Sequence, residues 1–280
     1  MLHCRANWLK RMVALAVCGI NTAPLCAAGS EKEISLTTQD SWTLSAVYLP
    51  AQPEKRTVVL LHDLGKSKEA FAAFRTALAK EGIGYLALDL RGYGKSTGGG
   101  VASSFAREGV DNQFNKMTRD VDAAMEFLQK QGVASDQIAL LGAGLGANVA
   151  AKSVTFWPDT ALLALISPTV NVRDVLVIPA LRLYKGNVLN AAGAADKKMF
   201  LEASVIRNVA YLATGPENGQ VTFLTAYDKT SHDMLNQYLT PAVIQWIKTP
   251  KRPEVASGEV VLEEENQRPP QEGLVPSVLE

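Results

Sequence analysis

The sequence has little cysteine and little histidine, and the few it has are unevenly placed. Of 280 residues only three are cysteines, at positions 4, 18 and 26, and all of them precede residue 29. Two histidines remain beyond that point, His62 and His232. The rest of the chain therefore cannot form a disulfide-rich scaffold, and a structural zinc cluster is not expected.

Net charge is also lacking, because 28 basic residues balance 28 acidic residues. A balanced chain offers no global electrostatic attraction to nucleic acid or to an anionic membrane, so we expect neither partner. The hydrophobic fraction of 47%, with 20% charged residues, argues against a disordered chain and supplies one sizeable core.

The N-terminus has the pattern of a secretory signal peptide. Three basic residues and no acid come first, the apolar run Met12–Ile20 follows, and small residues end at Ala28. This pattern predicts cleavage after Ala28, so that residues 1–28 are removed and the mature chain is periplasmic or secreted, with no stable membrane anchor. A buried N-terminal helix or a retained anchor is the alternative interpretation.

The body of the chain, residues 31–250, alternates apolar runs of strand length with segments of helical spacing. This alternation predicts an α/β fold, a mostly parallel, doubly wound sheet with helices on both faces, opened by an antiparallel hairpin. The predicted strands are Glu33–Thr37, Thr43–Tyr48, Thr57–Leu61, Ile83–Leu88, Gln137–Leu141, Ala161–Ile166, Lys198–Ala203 and Val221–Tyr227. The predicted helices are Lys68–Lys80, a segment through Val121 and Leu128 ending at Gly132, Ala147–Thr155 and Ala242–Lys248.

Residues 251–280 differ in composition from the body. They contain four prolines and seven acidic residues against three basic ones, without a sustained apolar pattern. We expect a flexible acidic tail there.

Glycine-containing turns follow several of the predicted strands. They are His62–Gly65, Asp89–Ser96 and Gly142–Gly146, and Thr230–Met234 follows the last strand. Glycine allows a sharp turn that leaves backbone N–H groups pointing into a crevice at the carboxyl end of a strand. Asp89 and Arg91 are interpreted as a structural ion pair that fixes the second turn.

These turns, in this order, resemble the α/β-hydrolase superfamily, in particular its small capless esterases and dienelactone-hydrolase-like members. The resemblance implies carboxylic-ester hydrolysis, with His232 as the base and the N–H groups of Leu64 and Leu145 as oxyanion donors. It also implies a surrounding pocket, formed by His62, Asp63, Gly65, Gly142 and Gly146.

The sequence departs from this family at two catalytic positions. The family turn is Gly-x-Ser-x-Gly, and here Gly144 stands at the serine position, so the nucleophile is missing. The acid expected after the fifth parallel strand is also absent from residues 204–208, and Asp174 is the favoured substitute ahead of Asp228 and Asp233. A histidine without its nucleophile has no proton to take in acyl transfer. We therefore expect a degenerate hydrolase that needs no cofactor or metal and binds a small carboxyl or ester ligand, or a protein.

Two alternatives remain open. One is an active hydrolase in which His232 activates a water or an unusual nucleophile such as Ser167. The other is dinucleotide binding, because Gly142, Gly144 and Ala147 fit the fingerprint Gly-x-Gly-x-x-Gly/Ala between a strand and a helix. That fingerprint usually opens its domain and is followed by an acid at the end of the next strand, where this chain has Ser167.

Overall fold

The computed structural model describes residues 30–215, 218–226, 234, 235, 239–250 and 260–262. The predicted signal peptide lies outside these residues, as do His232, Asp228 and Asp233. The strands are β1 (Lys32–Thr37), β2 (Thr43–Leu49), β3 (Thr57–Leu61), β4 (Gly84–Leu88), β5 (Ile138–Ala143), β6 (Leu162–Ile166), β7 (Asn171–Val172), β8 (Val175–Leu176), β9 (Asn187–Gly193), β10 (Val221–Ala226) and β11 (Val260–Leu262). The helices are α1 (Ala72–Lys80), α2 (Thr118–Lys130), α3 (Leu145–Ser153), α4 (Ile178–Leu181), α5 (Lys197–Thr214) and α6 (Thr240–Lys248). Among these helices none is both long and apolar enough to span a bilayer.

One mixed sheet dominates the described part of the chain. Its nine strands lie in the order β1-β2-β4-β3-β5-β6-β9-β10-β11, and β7 pairs with β8 separately. The six strands from β4 to β10 in this order run parallel to their neighbours, whereas β1 and β2 form an antiparallel hairpin. The predicted doubly wound α/β fold with an N-terminal hairpin is thus confirmed.

Both faces of the sheet are covered by helices, as the continuous apolar strands require. Every residue of β3 is buried, and its side chains alternate between the two faces. Val59 and Leu61 pack with α2 and α3, whereas Val58 and Leu60 pack with α1 and α6. Two apolar layers therefore hold the carboxyl ends of the central strands in fixed positions.

The predicted strand Lys198–Ala203 is wrong, because this segment belongs to helix α5. Asp196 begins the helix by accepting a hydrogen bond from the Met199 N–H at 3.1 Å, and the buried residues Ala203, Ile206 and Ala210 recur at helical spacing. The parallel strand at this point of the order is instead β9.

The C-terminal part of the fold differs from the prediction in two further places. Residues 175–195, for which the sequence predicts no strand or helix, contain β8, α4 and the whole of β9. Within the predicted tail, β11 pairs antiparallel with β10, with Leu262 opposite Leu224.

Candidate functional site

The turns after β3 and β5 lie side by side because these two strands are parallel neighbours. Leu61 is paired with Gly142, so the chain leaves both strands at the same edge of the sheet. This edge is where ligands bind in open α/β sheets. The turn after β3 is His62–Gly65, and the turn after β5 leads through Gly144 into helix α3.

Gly144 has a backbone conformation that suits glycine. Its φ is 51° and its ψ is −118°, and its N–H donates to the Ile166 carbonyl at 2.9 Å. Side chains are strained in this region, whereas glycine adopts it freely. The flanking Gly146 is packed so closely that an added Cβ would lie 2.0 Å from the Leu61 carbonyl oxygen. The turn is therefore sharp, and α3 starts directly beside the end of β3.

Two backbone N–H groups converge on one oxygen at this edge. Asp63 Oδ1 accepts hydrogen bonds from the Leu64 N–H at 2.7 Å and from the Leu145 N–H at 2.8 Å. These are the two groups proposed as oxyanion donors. Leu145 is the first residue of α3, so the helix dipole also favours a negative charge at this point. The two N–H groups thus form a site for an oxyanion, and in this structure a side chain of the same protein fills it.

The Asp63 carboxylate also occupies the space that a side chain at position 144 would need. An added Cβ on Gly144 would lie 1.9 Å from Asp63 Oδ1 and 2.1 Å from Asp63 Cγ. Carbon and oxygen atoms that are not bonded cannot approach this closely. Asp63 in its present position and a residue larger than glycine at position 144 are therefore mutually exclusive.

His62 fixes the first turn through its hydrogen bonds and also contributes to the lining of a cavity at this edge. It is fully buried, its Nε2 accepts from the Leu90 N–H at 3.1 Å, and its Nδ1 lies 2.8 Å from the Asp63 carbonyl oxygen. An acceptor Nε2 assigns the proton to Nδ1, which donates to that carbonyl. Burial lowers the pKa of His62, so the ring stays neutral in the fold. The His62 ring thus fixes the position of the Asp63 backbone.

A cavity of about 560 Å³ opens beside Asp63 and Gly144. This volume is in the range of sites for small organic molecules. Its walls include the aromatic rings of Phe71 and Tyr93, together with Ser167 and Leu235. The Tyr93 ring packs edge-on against His62 at 5.2 Å, and burial raises the pKa of its phenol. The cavity lining therefore combines apolar side chains with polar and charged ones, among them the Asp63 carboxylate and the exposed Lys66.

Asp89 and Arg91 form buried ion pairs, but not with each other. Lys68 Nζ lies 2.6 Å from Asp89 Oδ2, and Arg91 binds Asp120 at 2.7 Å and Asp40 at 2.8 Å. Burial opposes ionisation of Asp89, but hydrogen bonds from Lys68 and from backbone N–H groups outweigh it and keep the pKa of Asp89 below its usual range. These pairs fix the loop after β4, which forms one wall of the cavity through Gly92–Gly94.

Asp174, the favoured substitute acid, lies away from the cavity lining. Its Oδ2 accepts from the Gly109 N–H at 2.6 Å, and its Oδ1 accepts from Asn171 at 3.4 Å. Its pairing with His232 stays a prediction, since His232 is outside the described residues.

Asp196 is the residue that the sequence reasoning missed. It follows β9, the strand that takes the fifth parallel position once Lys198–Ala203 is recognised as helix. An acid after this strand is what the resemblance implies. The available signal was the apolar stretch Val188–Gly193 with an aspartate three residues beyond, which two asparagines in β9 obscured.

The described residues offer little for a metal or a dinucleotide. No three His, Cys, Asp or Glu side chains among them are grouped to hold a metal ion. At the N-terminus of α3, where a phosphate would bind in a dinucleotide site, the Leu145 N–H is bonded to Asp63.

Comparison with known proteins gives one family and many structural neighbours. A family model described as "Serine aminopeptidase, S33" matches residues 52–235. The esterase Pf2001 of Pyrococcus furiosus is similar, with a TM-score of 0.63, 18% identity, and coverage of 79% of this chain and 90% of that one. An esterase of Exiguobacterium antarcticum gives a TM-score of 0.59 at 14% identity, covering 78% and 100%. For a dienelactone hydrolase of Anabaena variabilis the TM-score is 0.60 and the identity 12%, and the match covers 79% of this chain and 98% of that one. At these identities the likeness shows the fold alone. No curated protein matches the chain.

Proposed function

Because the chain belongs to the serine aminopeptidase S33 family of α/β-hydrolases, we propose that it is a secreted binding protein that has kept the hydrolase fold and lost serine catalysis. The ligand is a small uncharged organic molecule such as an ester, held in the cavity beside Asp63. A protein ligand that inserts a side chain into the same cavity is the second form of this proposal.

The observation that carries the proposal is Gly144. In the resemblance it stands where the family has its serine, and its torsions of 51° and −118° are those of a sharp turn between strand and helix. A glycine there keeps the turn but supplies no hydroxyl, so no acyl-enzyme can form at this position. The preserved turn and the open cavity support binding, whereas the missing nucleophile argues against acyl transfer.

The predicted signal peptide supports a location outside the cytoplasm. The absence of cysteine after residue 28 agrees with an oxidising compartment, where a free thiol is a liability. N-terminal sequencing of the protein recovered from the periplasm or medium should then begin at residue 29. Recovery of an uncleaved chain in the membrane fraction would favour the retained anchor instead.

The catalytic half of the proposal is tested with p-nitrophenyl butyrate. We expect the mature protein to release nitrophenol no faster than buffer, and His232→Ala to behave identically. Turnover that is abolished by His232→Ala would contradict the proposal and support the alternative of a hydrolase with an activated water.

The binding half is tested by the thermal shift that an unreactive ester such as ethyl butyrate produces. Ala70→Trp should remove the shift, because residue 70 lines the cavity and a large side chain there fills it. Ala73→Trp is the matched control, since residue 73 is exposed on α1 and does not line the cavity. A shift that survives Ala70→Trp would place binding elsewhere, and a shift with NADH instead of the ester would favour dinucleotide binding.

A further inference from the structure

The oxyanion site formed by Leu64 and Leu145 already has a ligand within the chain. Asp63 Oδ1 accepts both N–H groups at 2.7 and 2.8 Å, which are the lengths of charge-assisted hydrogen bonds. The two donors come from different turns. Leu64 directly follows Asp63, whereas Leu145 comes 82 residues after Asp63. Because Asp63 Oδ1 accepts from both, the Asp63 side chain links the end of β3 to the start of α3.

We propose that Asp63 is a built-in plug of this anion site, so that the cavity rejects carboxylates and other anions and admits uncharged ligands. The carboxylate stands where the charged oxygen of a substrate or product would be bound. A second anion at the same donors would have to displace Asp63 and would meet its negative charge. The inference rests on the proposed function only in naming the ligand class, and the state of the anion site can be measured with acetate, independently of the ester ligand.

Gly144 is the residue that makes the plug sterically feasible. With any larger residue at position 144, a Cβ would lie 1.9 Å from Asp63 Oδ1. Asp63 and Gly144 thus act as one unit: the glycine removes the nucleophile, and the space it leaves admits the carboxylate that closes the oxyanion site. For the same reason a serine placed at position 144 alone would collide with the plug.

Removal of the plug should expose an anion site that small carboxylates can enter. The Asp63→Ala variant leaves the Leu64 and Leu145 N–H groups without this acceptor, beside a cavity open to solvent. We compare thermal unfolding in 100 mM sodium acetate with unfolding in sodium chloride of equal ionic strength. Acetate should raise the midpoint of Asp63→Ala by about 2–4 °C relative to chloride and should leave the wild-type midpoint within about 1 °C.

Two further variants serve as controls. Asp174→Ala also removes a carboxylate bonded to a backbone N–H, that of Gly109, but away from the cavity, and should show no acetate effect. Asp63→Asn keeps an oxygen of similar shape in the site and should also be insensitive to acetate. Asp63→Ser, whose side chain is too short to reach both donors, should respond as Asp63→Ala does and replaces it if that variant does not fold.

An acetate effect of equal size in the wild type and in Asp63→Ala would overturn the proposal, because the plug would then not exclude anions. No excess stabilisation in either Asp63→Ala or Asp63→Ser would also overturn it, because removing the carboxylate would not have opened an anion site. Neither result depends on ester turnover, so the plug and the loss of catalysis can fail separately.

Discussion

Two aspartates at the carboxyl edge of the sheet, Asp89 and Asp63, show how similar contacts support different roles. Each accepts two backbone N–H groups at 2.7–2.9 Å. Asp89 follows β4, is buried, and forms an ion pair with Lys68, whose Nζ lies 2.6 Å from Asp89 Oδ2. Asp63 follows β3, places a single oxygen between two N–H groups, and borders the 560 Å³ cavity. The first carboxylate is part of the framework, whereas the second occupies the place of a ligand.

The comparison shows that hydrogen bonds alone do not identify a functional carboxylate. What separates the two is the surrounding space: each lies against a glycine, Gly94 or Gly144, but Asp89 is enclosed by a loop and a lysine, whereas Asp63 borders a cavity. Changes around Asp89 should therefore alter stability, whereas changes around Asp63 should alter the cavity as well as stability. The predictions below test that division.

The largest effect is expected from Asp89→Ala. It leaves the buried Lys68 ammonium without its carboxylate and should lower the free energy of unfolding by about 3–5 kcal/mol. Urea denaturation followed by circular dichroism measures this loss. Glu33→Gln is the control, because it removes the exposed carboxylate that binds Lys95 and should leave the midpoint unchanged. A loss near zero for Asp89→Ala would show that the Lys68 pair is not part of the framework.

Gly144→Ala should be the next most damaging change. It adds backbone strain and forces Asp63 out of the site, and we expect it to cost about 3 kcal/mol of unfolding free energy. Gly65→Ala is the matched control, since Gly65 also has a positive φ, 69°, but an added Cβ there would meet nothing within 4 Å. That control should cost only about 1–2 kcal/mol. Equal costs would mean that the collision with Asp63 is relieved without consequence.

His62 should make stability depend on pH. Burial lowers the pKa of His62, so below about pH 6.5 the unfolded chain binds a proton at this imidazole that the folded chain does not bind. This contribution to stability is complete above that pH and declines as the pH falls, by at most about 1.4 kcal/mol per unit. Urea titrations from pH 7.5 to 5 on the wild type and His62→Gln isolate it. The wild-type curve should fall relative to that of the variant on acidification, and parallel curves would contradict a neutral buried His62.

The smallest effect is expected at Asp196, a carboxylate that caps a helix. Asp196→Ala removes the acceptor of the Met199 N–H and should cost about 1 kcal/mol, measured by urea denaturation. Asp196→Ser keeps a capping oxygen and should lose only a fraction of that. If both variants were destabilised by several kcal/mol, Asp196 would have contacts beyond the cap.

The parts of this site that the sequence predicts are those encoded locally. The apolar runs of β3 and β5 and the glycines after them identify the two turns, because a buried parallel strand and a tight turn each leave a short sequence pattern. The family resemblance then indicates Leu64 and Leu145. By contrast, β9 was missed because Asn187 and Asn190 interrupt its apolar run, and Asn190 is buried with its amide bonded to the Ala203 carbonyl. That contact is absent from any local pattern.

The contact between Asp63 and Gly144 could not be predicted for a similar reason. It depends on the register between β3 and β5, which places Leu61 opposite Gly142 and so sets the two turns at contact distance. Sequence alone shows an aspartate in one turn and a glycine in another. Only the paired strands show that the carboxylate of the first fills the space beside the second.

The central claim, that Asp63 and Gly144 form one unit, is tested most directly by a double-mutant cycle. The unfolding free energies of the wild type, Gly144→Ala, Asp63→Ala and the double variant are measured in urea at pH 7.5. We expect Gly144→Ala to cost less in the Asp63→Ala background, with a coupling energy of about 1–3 kcal/mol. Costs that add to within about 0.5 kcal/mol would contradict the claim, because the Asp63 carboxylate and a methyl group at position 144 compete for the same space and their effects cannot then be independent.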